Sequence, residues 1–269
     1  MKEKKYIYKK RVMKNFSRAK NYDRHTSYHN ISLQKSIPWI SGYFNSSPFL
    51  NILDAGCGTA KLYEILAHEN IGKFNYFGLD FAYGLLKEAR LKTGGKAHLV
   101  CADAENLPFR EGVLDIIVSN MTLHWLPSPE RFLEECRLAL KEDGILIISF
   151  LAEGTLKELF ASAGKISSLS DIGLFDFPEI TLFSNKIPAA GFKILAEEAF
   201  DFVEKDRSAL KLLKKMNNIG AKNPLNRDSL KPNLLKNILR EYDRNYMDED
   251  GMVYATYKIA FLILKKGTI

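Results

Sequence analysis

The middle of the chain alternates short apolar runs with longer stretches in which apolar and polar positions recur at helical spacing. Short apolar runs bounded by turn residues predict buried strands, and the stretches between them predict amphipathic helices. The predicted strands are residues 49–55, 74–79, 97–101, 114–119 and 145–150, and the predicted helices are residues 61–68, 83–91 and 129–140. Because strands that alternate with helices are typical of βαβ units, the pattern predicts a parallel sheet in an α/β fold.

Both flanks of this unit have a different pattern. Residues 13–44 are amphipathic and predict one long helix. Beyond residue 151 the periodicity weakens, with predicted strands at 192–203 and 253–264 and predicted helices at 206–218 and 234–246. We therefore expect a seven-stranded, mostly parallel sheet with a helical cap insertion above its ligand edge. The expected divisions are a helical lid (1–44), a ligand-binding core (45–151), and a cap with the C-terminal strands (152–269).

Composition supports a folded protein with a basic end. Of the 269 residues 46% are hydrophobic, which is enough for a large core. The formal net charge is +7, and much of the basic excess lies near the N-terminus. Such a segment suits an acidic partner, and it equally suits a solvated tail. Its basic residues are Lys2, Lys4, Lys5, Lys9, Lys10, Arg11 and Lys14.

The cysteines and the apolar runs bear on metal binding and location. Cys57, Cys101 and Cys136 lack the spacing of a disulfide framework or a zinc site, so we expect no metal. The N-terminal residues have no apolar region of the signal-peptide kind, and no apolar run is long enough to span a bilayer. These features predict a cytoplasmic protein without a membrane segment.

A glycine loop follows the first predicted strand. Gly56 and Gly58 would let the backbone turn sharply and approach a ligand closely, although a purely structural tight turn is the alternative. A dinucleotide-binding loop would have a third glycine at position 61, where this chain has Lys61. The loop therefore favours a ligand without a pyrophosphate.

Polar residues also follow the next three predicted strands. Asp80 could accept hydrogen bonds from ribose hydroxyls, or it could cap a helix. Asp103, followed by Ala104, could accept from an adenine amino group. After the fourth strand come Asn120, His124 and Trp125; His124 is either a substrate contact or a hydrogen-bonded core histidine.

Taken in order, these motifs resemble the class I S-adenosylmethionine (SAM)-dependent methyltransferases, which implies a Rossmann-like fold and SAM as cofactor. The matching segments are residues 52–59, 78–80, 103–109, 114–117 and 140–144. The family usually has glycine where this chain has Ala60 and Asp143, and we expect Ala60 inside the first turn of the following helix. The resemblance implies that SAM contacts Asp54, Gly56, Gly58, Asp80, Phe81, Leu85, Asp103, Ala104 and Asn120.

Further segments resemble the malonyl-acyl-carrier-protein O-methyltransferases of biotin synthesis. They are residues 16–19 with Tyr22, Asp23 and His25, then Ser119, Asn120, His124 and Trp125, and, outside that core, residues 154–159, 218–221 and 254–257. The same segments resemble a mitochondrial complex I assembly factor that is linked to arginine hydroxylation. The resemblance thus implies a SAM site and leaves two reactions open.

The first of these reactions would methylate the free carboxylate of a malonyl thioester on acyl carrier protein or coenzyme A. Such a carboxylate is already ionised at neutral pH, so the reaction needs positioning and exclusion of water rather than a base. Tyr22, His124 and Trp125 are the positioning candidates. The candidates for holding the carboxylate are Arg18, Lys214, Lys215 and Lys222, each of which could equally be a solvated surface charge.

Two other functions remain open on the sequence. A hydroxyl substrate would need a base, for which His124 is the candidate. A binding or assembly protein would keep the SAM site without methylating. Nucleic acid is disfavoured as a substrate, because the chain has neither the Pro-Pro-aromatic segment of the amino-methyltransferases nor an added RNA-binding module.

Overall fold

A computed structural model describes residues 2–19, 22–45, 47, 49–167, 176–221 and 232–267. Its seven-stranded sheet has the order β3-β2-β1-β4-β5-β7-β6, in which β7 alone runs antiparallel to its neighbours and the other pairs are parallel. The predicted seven-stranded, mostly parallel sheet is confirmed. The strands are β1 (Phe49–Ala55), β2 (Lys73–Asp80), β3 (His98–Cys101), β4 (Leu114–Asn120), β5 (Leu140–Leu151), β6 (Phe192–Asp206) and β7 (Val253–Lys266).

Helices cover both faces of the sheet. The described helices are α1 (Lys2–Phe16), α2 (Ser27–Phe44), α3 (Lys61–His68), α4 (Tyr83–Lys92), α5 (Pro129–Ala139), α6 (Lys157–Ile166), α7 (Ile180–Ser184), α8 (Ala209–Asn218) and α9 (Pro232–Asn245). Neighbouring residues of the central strands alternate between the faces, as the pleat requires. Ile52 packs in a cluster with residues of α2 and α3, whereas Leu53 packs in a cluster with residues of α5.

The N-terminal region differs from the single helix predicted over residues 13–44. The chain leaves α1 after Phe16, forms a short 3-10 turn at Tyr22–His25, and starts α2 at Ser27. The prediction of one helix is wrong because this turn contacts the glycine loop, and a continuous helix could not follow that path. The solvated-tail interpretation fails as well, since Val12 of α1 is only 1% exposed.

Ala60 also lies differently from the expectation. It precedes α3 as its N-cap residue, in the left-handed region with φ of 62°, rather than inside the first helical turn. An L-residue pays a steric penalty in this region and glycine does not. The left-handed backbone therefore explains why the class usually has glycine at this position.

The cap comes from two connections of the chain. The connection after β5 contains α6 and α7, and the connection after β6 contains α8 and α9. A buried carboxylate joins α6 to β7, because Glu158 accepts hydrogen bonds from the backbone N–H and the hydroxyl of Thr256. No helix in the described ranges is long and apolar enough to cross a membrane.

Candidate active site

The glycine loop and the end of β2 hold each other through backbone hydrogen bonds. The N–H of Gly56 donates to the Leu79 carbonyl at 2.7 Å, and the N–H of Gly58 donates to Oδ2 of Asp80 at 2.9 Å. Gly56 has φ of 84°, and a Cβ built on it would lie 2.0 Å from Oγ1 of Thr122. The loop therefore passes too close to the segment after β4 to carry a side chain there.

Two buried carboxyl groups lie beside this loop. Oδ1 of Asp80 accepts the N–H of Ala82 at 2.7 Å, so each of its oxygens holds one backbone donor and keeps a further lone pair. Burial raises the pKa of Asp80 to about 6, although those backbone hydrogen bonds oppose the rise. Burial also raises the pKa of Asp54 to about 7, against the hydrogen bond that Tyr76 donates to it at 2.6 Å.

A cavity opens at this edge of the sheet. The space between its walls, including the open solvent at its mouth, is about 610 Å³. A smaller recess adjoins it and shares Tyr22, Gly56 and Asn120 with it. Of the nine residues that the resemblance assigned to SAM, Asp54 and Gly58 line the recess; the others line the cavity, namely Gly56, Asp80, Phe81, Leu85, Asp103, Ala104 and Asn120.

Asn120 ties three elements together behind this cavity. Its Oδ1 accepts hydrogen bonds from the hydroxyls of Ser32 on α2 and Ser149 on β5, both at 2.5 Å. Its Nδ2 donates to the His29 carbonyl at 3.2 Å. The side chain therefore fixes the end of β4 against both α2 and β5.

Lys9 of α1 closes the cavity beside Asp103. Its Nζ lies 2.5 Å from Oδ2 of Asp103 and also contacts the carboxylate of the buried Glu105. Burial lowers the pKa of Lys9, but the hydrogen bonds to the two carboxylates outweigh it and hold the pKa above its usual range. The carboxylate expected to meet an adenine amino group thus already has a cationic partner from the lid.

Aromatic rings close the cavity farther along α1. Phe16 packs edge-on against Trp125, with ring centroids 5.2 Å apart, and Tyr22 lies 6.5 Å from Phe16. Phe16 follows Lys9 by seven residues, or about 10 Å along the helix. One helix therefore spans the cavity, with a charge near one end and a ring near the other.

The 3-10 turn secures the lid over the glycine loop. Asp23 accepts a hydrogen bond from the Thr59 hydroxyl at 2.6 Å and pairs with Lys92 of α4. Tyr22 sits directly over Gly58, where a built Cβ would lie 3.5 Å from its ring. Burial raises the pKa of Tyr22 well above its ordinary value, so its hydroxyl stays protonated at neutral pH.

His124 lies behind the cavity wall rather than in it. Its Nδ1 accepts the N–H of Leu151 at 3.3 Å, and burial lowers its pKa to about 3. It lines neither the cavity nor the recess, whereas Trp125 lines the cavity. This arrangement matches a hydrogen-bonded core histidine.

Three of the four basic candidates for holding a substrate lie outside the cavity and the recess. Arg18 and Lys214 are exposed, and Lys215 pairs with Glu204 and Asp206, each at 3.0 Å. None of these three lines the cavity or the recess. Lys222 lies outside the described residues.

Sequence reasoning missed two residues at the site. Lys9 lies in a run of lysines in which no spacing singles it out. His29 lines the recess, its ring 5.8 Å from that of Tyr22, and burial lowers its pKa to about 3. Only the path of the lid brings these two side chains to the site.

Known proteins share this fold and much of this sequence. A family model described as "Methyltransferase domain" matches residues 53–148. The human mitochondrial protein named Arginine-hydroxylase NDUFAF5 is 31% identical over 217 residues, 78% of this chain and 62% of that protein, so the match spans less than two thirds of its length. The Malonyl-[acyl-carrier protein] O-methyltransferase of Geobacter sulfurreducens is 30% identical over 224 residues, covering 80% of this chain and 83% of that protein.

A solved structure agrees on the fold. The Bacillus halodurans protein BH2331, assigned as a methyltransferase, superposes with a TM-score of 0.62 at 18% identity, over 88% of this chain and 99% of its own. The sheet order, the family model and this neighbour define a class I SAM-dependent methyltransferase, and SAM is its cofactor. With 30% identity over most of both chains, the chain belongs to the malonyl-[acyl-carrier protein] O-methyltransferase family.

Proposed function

We propose that the chain transfers the methyl group of SAM to the free carboxylate of a malonyl thioester, held on acyl carrier protein or coenzyme A, as a step of biotin synthesis. The family to which it belongs supports this substrate class. The observation that carries the proposal is the state of the ionisable side chains around the main cavity.

Four of the described residues lining that cavity can ionise, and none is an available base. Lys9 and Asp103 pair with each other, and the Tyr22 hydroxyl stays protonated. Asp80 holds one backbone N–H on each oxygen, and in this proposal its remaining lone pairs are occupied by the ribose hydroxyls of bound SAM. A hydroxyl or amine nucleophile has to lose a proton, whereas a malonyl carboxylate is ionised at neutral pH. A cavity of this kind therefore suits a carboxylate nucleophile.

In this proposal the strand ends hold the cofactor and the lid excludes water. Bound SAM supplies an electrophilic methyl group on its sulfonium. The free lone pairs of Asp80 would accept hydrogen bonds from the ribose hydroxyls, and Asp103 would accept one from the adenine amino group. Phe81, Leu85 and Ala104 offer the apolar walls for the adenine ring. Phe16, Tyr22 and Trp125 shield the reacting groups, so the carboxylate attacks in a water-poor site.

A hydroxyl substrate with His124 as the base has less support. The Nδ1 of His124 is occupied by the Leu151 N–H, and a histidine whose pKa is about 3 is a weak base. The His124→Gln variant separates the two substrates, because a His124-dependent reaction would lose rate in this variant and carboxylate methylation would not.

Radiolabelled SAM tests the proposal directly. Malonyl-acyl carrier protein should accept label, and acetyl-acyl carrier protein, which lacks the free carboxylate, should not. Base hydrolysis should then release the label as methanol, as expected of a methyl ester. Label on neither thioester, while SAM still binds, would refute the proposal.

The human relative favours a second candidate, namely a SAM-binding protein that modifies arginine on a partner protein. It predicts SAM binding without methyl transfer to any carrier-bound acid. Mass spectrometry of co-purified partner proteins would then show oxygen added to arginine rather than a methyl ester on a thioester.

A further inference from the structure

The basic excess of this chain is concentrated on one helix. Helix α1 contains seven lysine and arginine residues and a single acidic residue, Glu3, whereas the whole chain has a formal net charge of only +7. The rest of the molecule is thus nearly balanced, and its long-range electrostatic field originates chiefly at α1.

The position of α1 is fixed next to the cavity. Lys9 and Phe16 line the cavity, Val12 is buried, and Lys5 donates a hydrogen bond to the Ser128 hydroxyl at 2.5 Å. The last turn of the helix packs closely against Gly220, where a built Cβ would lie 2.9 Å from the Asn15 carbonyl. The remaining, solvent-exposed side of α1 therefore lies next to the cavity.

That exposed side combines charge with apolar surface. Tyr6, Lys10, Met13 and Lys14 follow one another at helical spacing of i, i+4, i+7 and i+8, and all four are exposed. We call these four residues the docking face. In the part of the chain that the structure describes, neither Lys10 nor Lys14 has a carboxylate partner; Lys10 only covers the Tyr6 ring at 4.4 Å.

Two neighbouring lysines without partners repel each other along a helix. A partner helix with carboxylates one turn apart would relieve that repulsion, since Lys10 and Lys14 are about 6 Å apart along the axis. Tyrosine and methionine are enriched at protein interfaces, so Tyr6 and Met13 add contact area between the charges. An interfacial membrane helix would instead need a continuous apolar face turned outward, whereas Val12 of α1 is buried and Phe16 lines the cavity.

From charge, exposure and position we infer that the docking face binds an acidic carrier protein, which presents its thioester-linked acyl group to the adjacent cavity. The inference rests on the proposed function for the identity of the carrier. It assigns to the lid a second task, since the same helix covers the cofactor with one side and receives the substrate carrier with the other.

A charge-reversal variant tests this with two substrates. Lys10→Glu/Lys14→Glu should raise KM for malonyl-acyl carrier protein about tenfold and leave kinetics with malonyl-pantetheine unchanged, because only the first substrate brings a protein surface. The matched control is Lys96→Glu/Lys193→Glu, which makes the same charge change at the opposite edge of the sheet and should leave both substrates unaffected. An equal loss on both substrates would overturn the inference, since it would mean a damaged lid; so would no change on either.

A direct binding measurement tests the docking face independently of methyl transfer. Fluorescence anisotropy of labelled acyl carrier protein should show weaker binding to the Lys10→Glu/Lys14→Glu variant than to the control variant, and binding should weaken as salt is added. If no thioester is methylated, the proposed function fails while this measurement still decides the docking face. Unchanged carrier binding together with lost binding to phosphatidylglycerol vesicles would overturn the inference in favour of a membrane surface.

Discussion

The two halves of the site are held together in different ways. In the sheet half, backbone N–H groups fix the functional side chains: Gly58 and Ala82 donate to Asp80, and Glu105 donates to Asp103 at 3.0 Å. In the lid half, side chains contact side chains, as in the pairing of Lys9 with Asp103 and the edge contact of Phe16 with Trp125.

This difference bears on motion. A backbone donor at a strand end or helix start cannot turn away unless the element itself unfolds, so the sheet half is preorganised for its ligand. Side-chain contacts such as the pairing of Lys9 with Asp103 break when a rotamer changes, without unfolding of an element. We therefore expect the lid to open for the cofactor while the sheet half keeps its shape.

The largest expected effect comes from removing a hydrogen-bond acceptor in the sheet half of the site. Asp80→Ala should raise the Kd for SAM about 100-fold, because hydrogen bonds to a charged group are each worth about 1.5–3 kcal/mol. Isothermal titration calorimetry measures it. Asp143→Ala, an exposed carboxylate at the start of β5, is the matched control and should bind SAM normally. A Kd for Asp80→Ala within about twofold of the parent would show that this carboxylate does not hold the ribose.

The next effect concerns the lid half. Lys9→Met should lower the free energy of unfolding by about 2 kcal/mol, between the values for exposed and fully buried pairs, because the buried Glu105 loses its cationic partner. Urea denaturation measures the change. Adding Glu105→Gln should recover most of the loss, since the carboxylate that then lacks Lys9 is Asp103, which is partly exposed to solvent. Equal stability of the parent and Lys9→Met would show that the lid is not anchored here.

The affinity for SAM should also depend on pH through the sheet half. The pKa of Asp80 is raised to about 6, and the ribose hydroxyls need the ionised form. Affinity is thus full above pH 6 and falls as the pH drops through it, by at most about tenfold per pH unit for one linked proton. Asp80→Asn should flatten the profile. A profile that persists in that variant would assign the proton to Asp54, whose pKa is raised to about 7.

The smallest effect concerns the backbone of the glycine loop. Ala60→Gly should stabilise the protein by about 0.5 kcal/mol, because relief of the left-handed strain slightly exceeds the added chain entropy and the lost methyl burial. Thermal unfolding measures it. Ala82→Gly is the matched control, because Ala82 caps α4 with φ of −86° and should lose stability instead. Destabilisation by both changes would argue against strain at Ala60.

The elements of the core were predictable because their signals are local. Alternation of faces along β1 and the apolar stripe of α3 are properties of a few consecutive residues, and both ranges were predicted without error. The strand ends were predictable too, because parallel strands bring their carboxyl ends to one edge. Asp80 and Asp103 lie at that edge as expected.

The lid was not predictable in the same way. Lys9 contacts Glu105, which lies 96 positions later in the chain. Nothing in the local sequence distinguishes Lys9 from the neighbouring lysines. The end of α1 depends on contacts of Tyr22 and Asp23 with the glycine loop, and the hydrophobic periodicity of the sequence does not reveal such contacts. The left-handed φ of Ala60 likewise comes from the turn that leads into α3, not from the residue itself.

Two of the family-like segments outside the core pack against each other. Residues 154–159 and 254–257 contact each other through Glu158 and Thr256, and the Leu156 N–H donates to the Thr256 carbonyl at 2.6 Å. The sequence showed that both segments matched the family, and it could not show that they meet, because their contact spans about a hundred residues.

The place of β7 in the sheet constrains how the molecule assembles. β7 follows β6 along the chain but lies between β5 and β6, pairing with both. During synthesis β5 therefore has an open edge, and β6 has no strand to join, until residues 253–266 emerge. An open apolar edge is a site of intermolecular association, so the nascent chain should depend on rapid insertion of this strand or on a chaperone that covers β5 meanwhile.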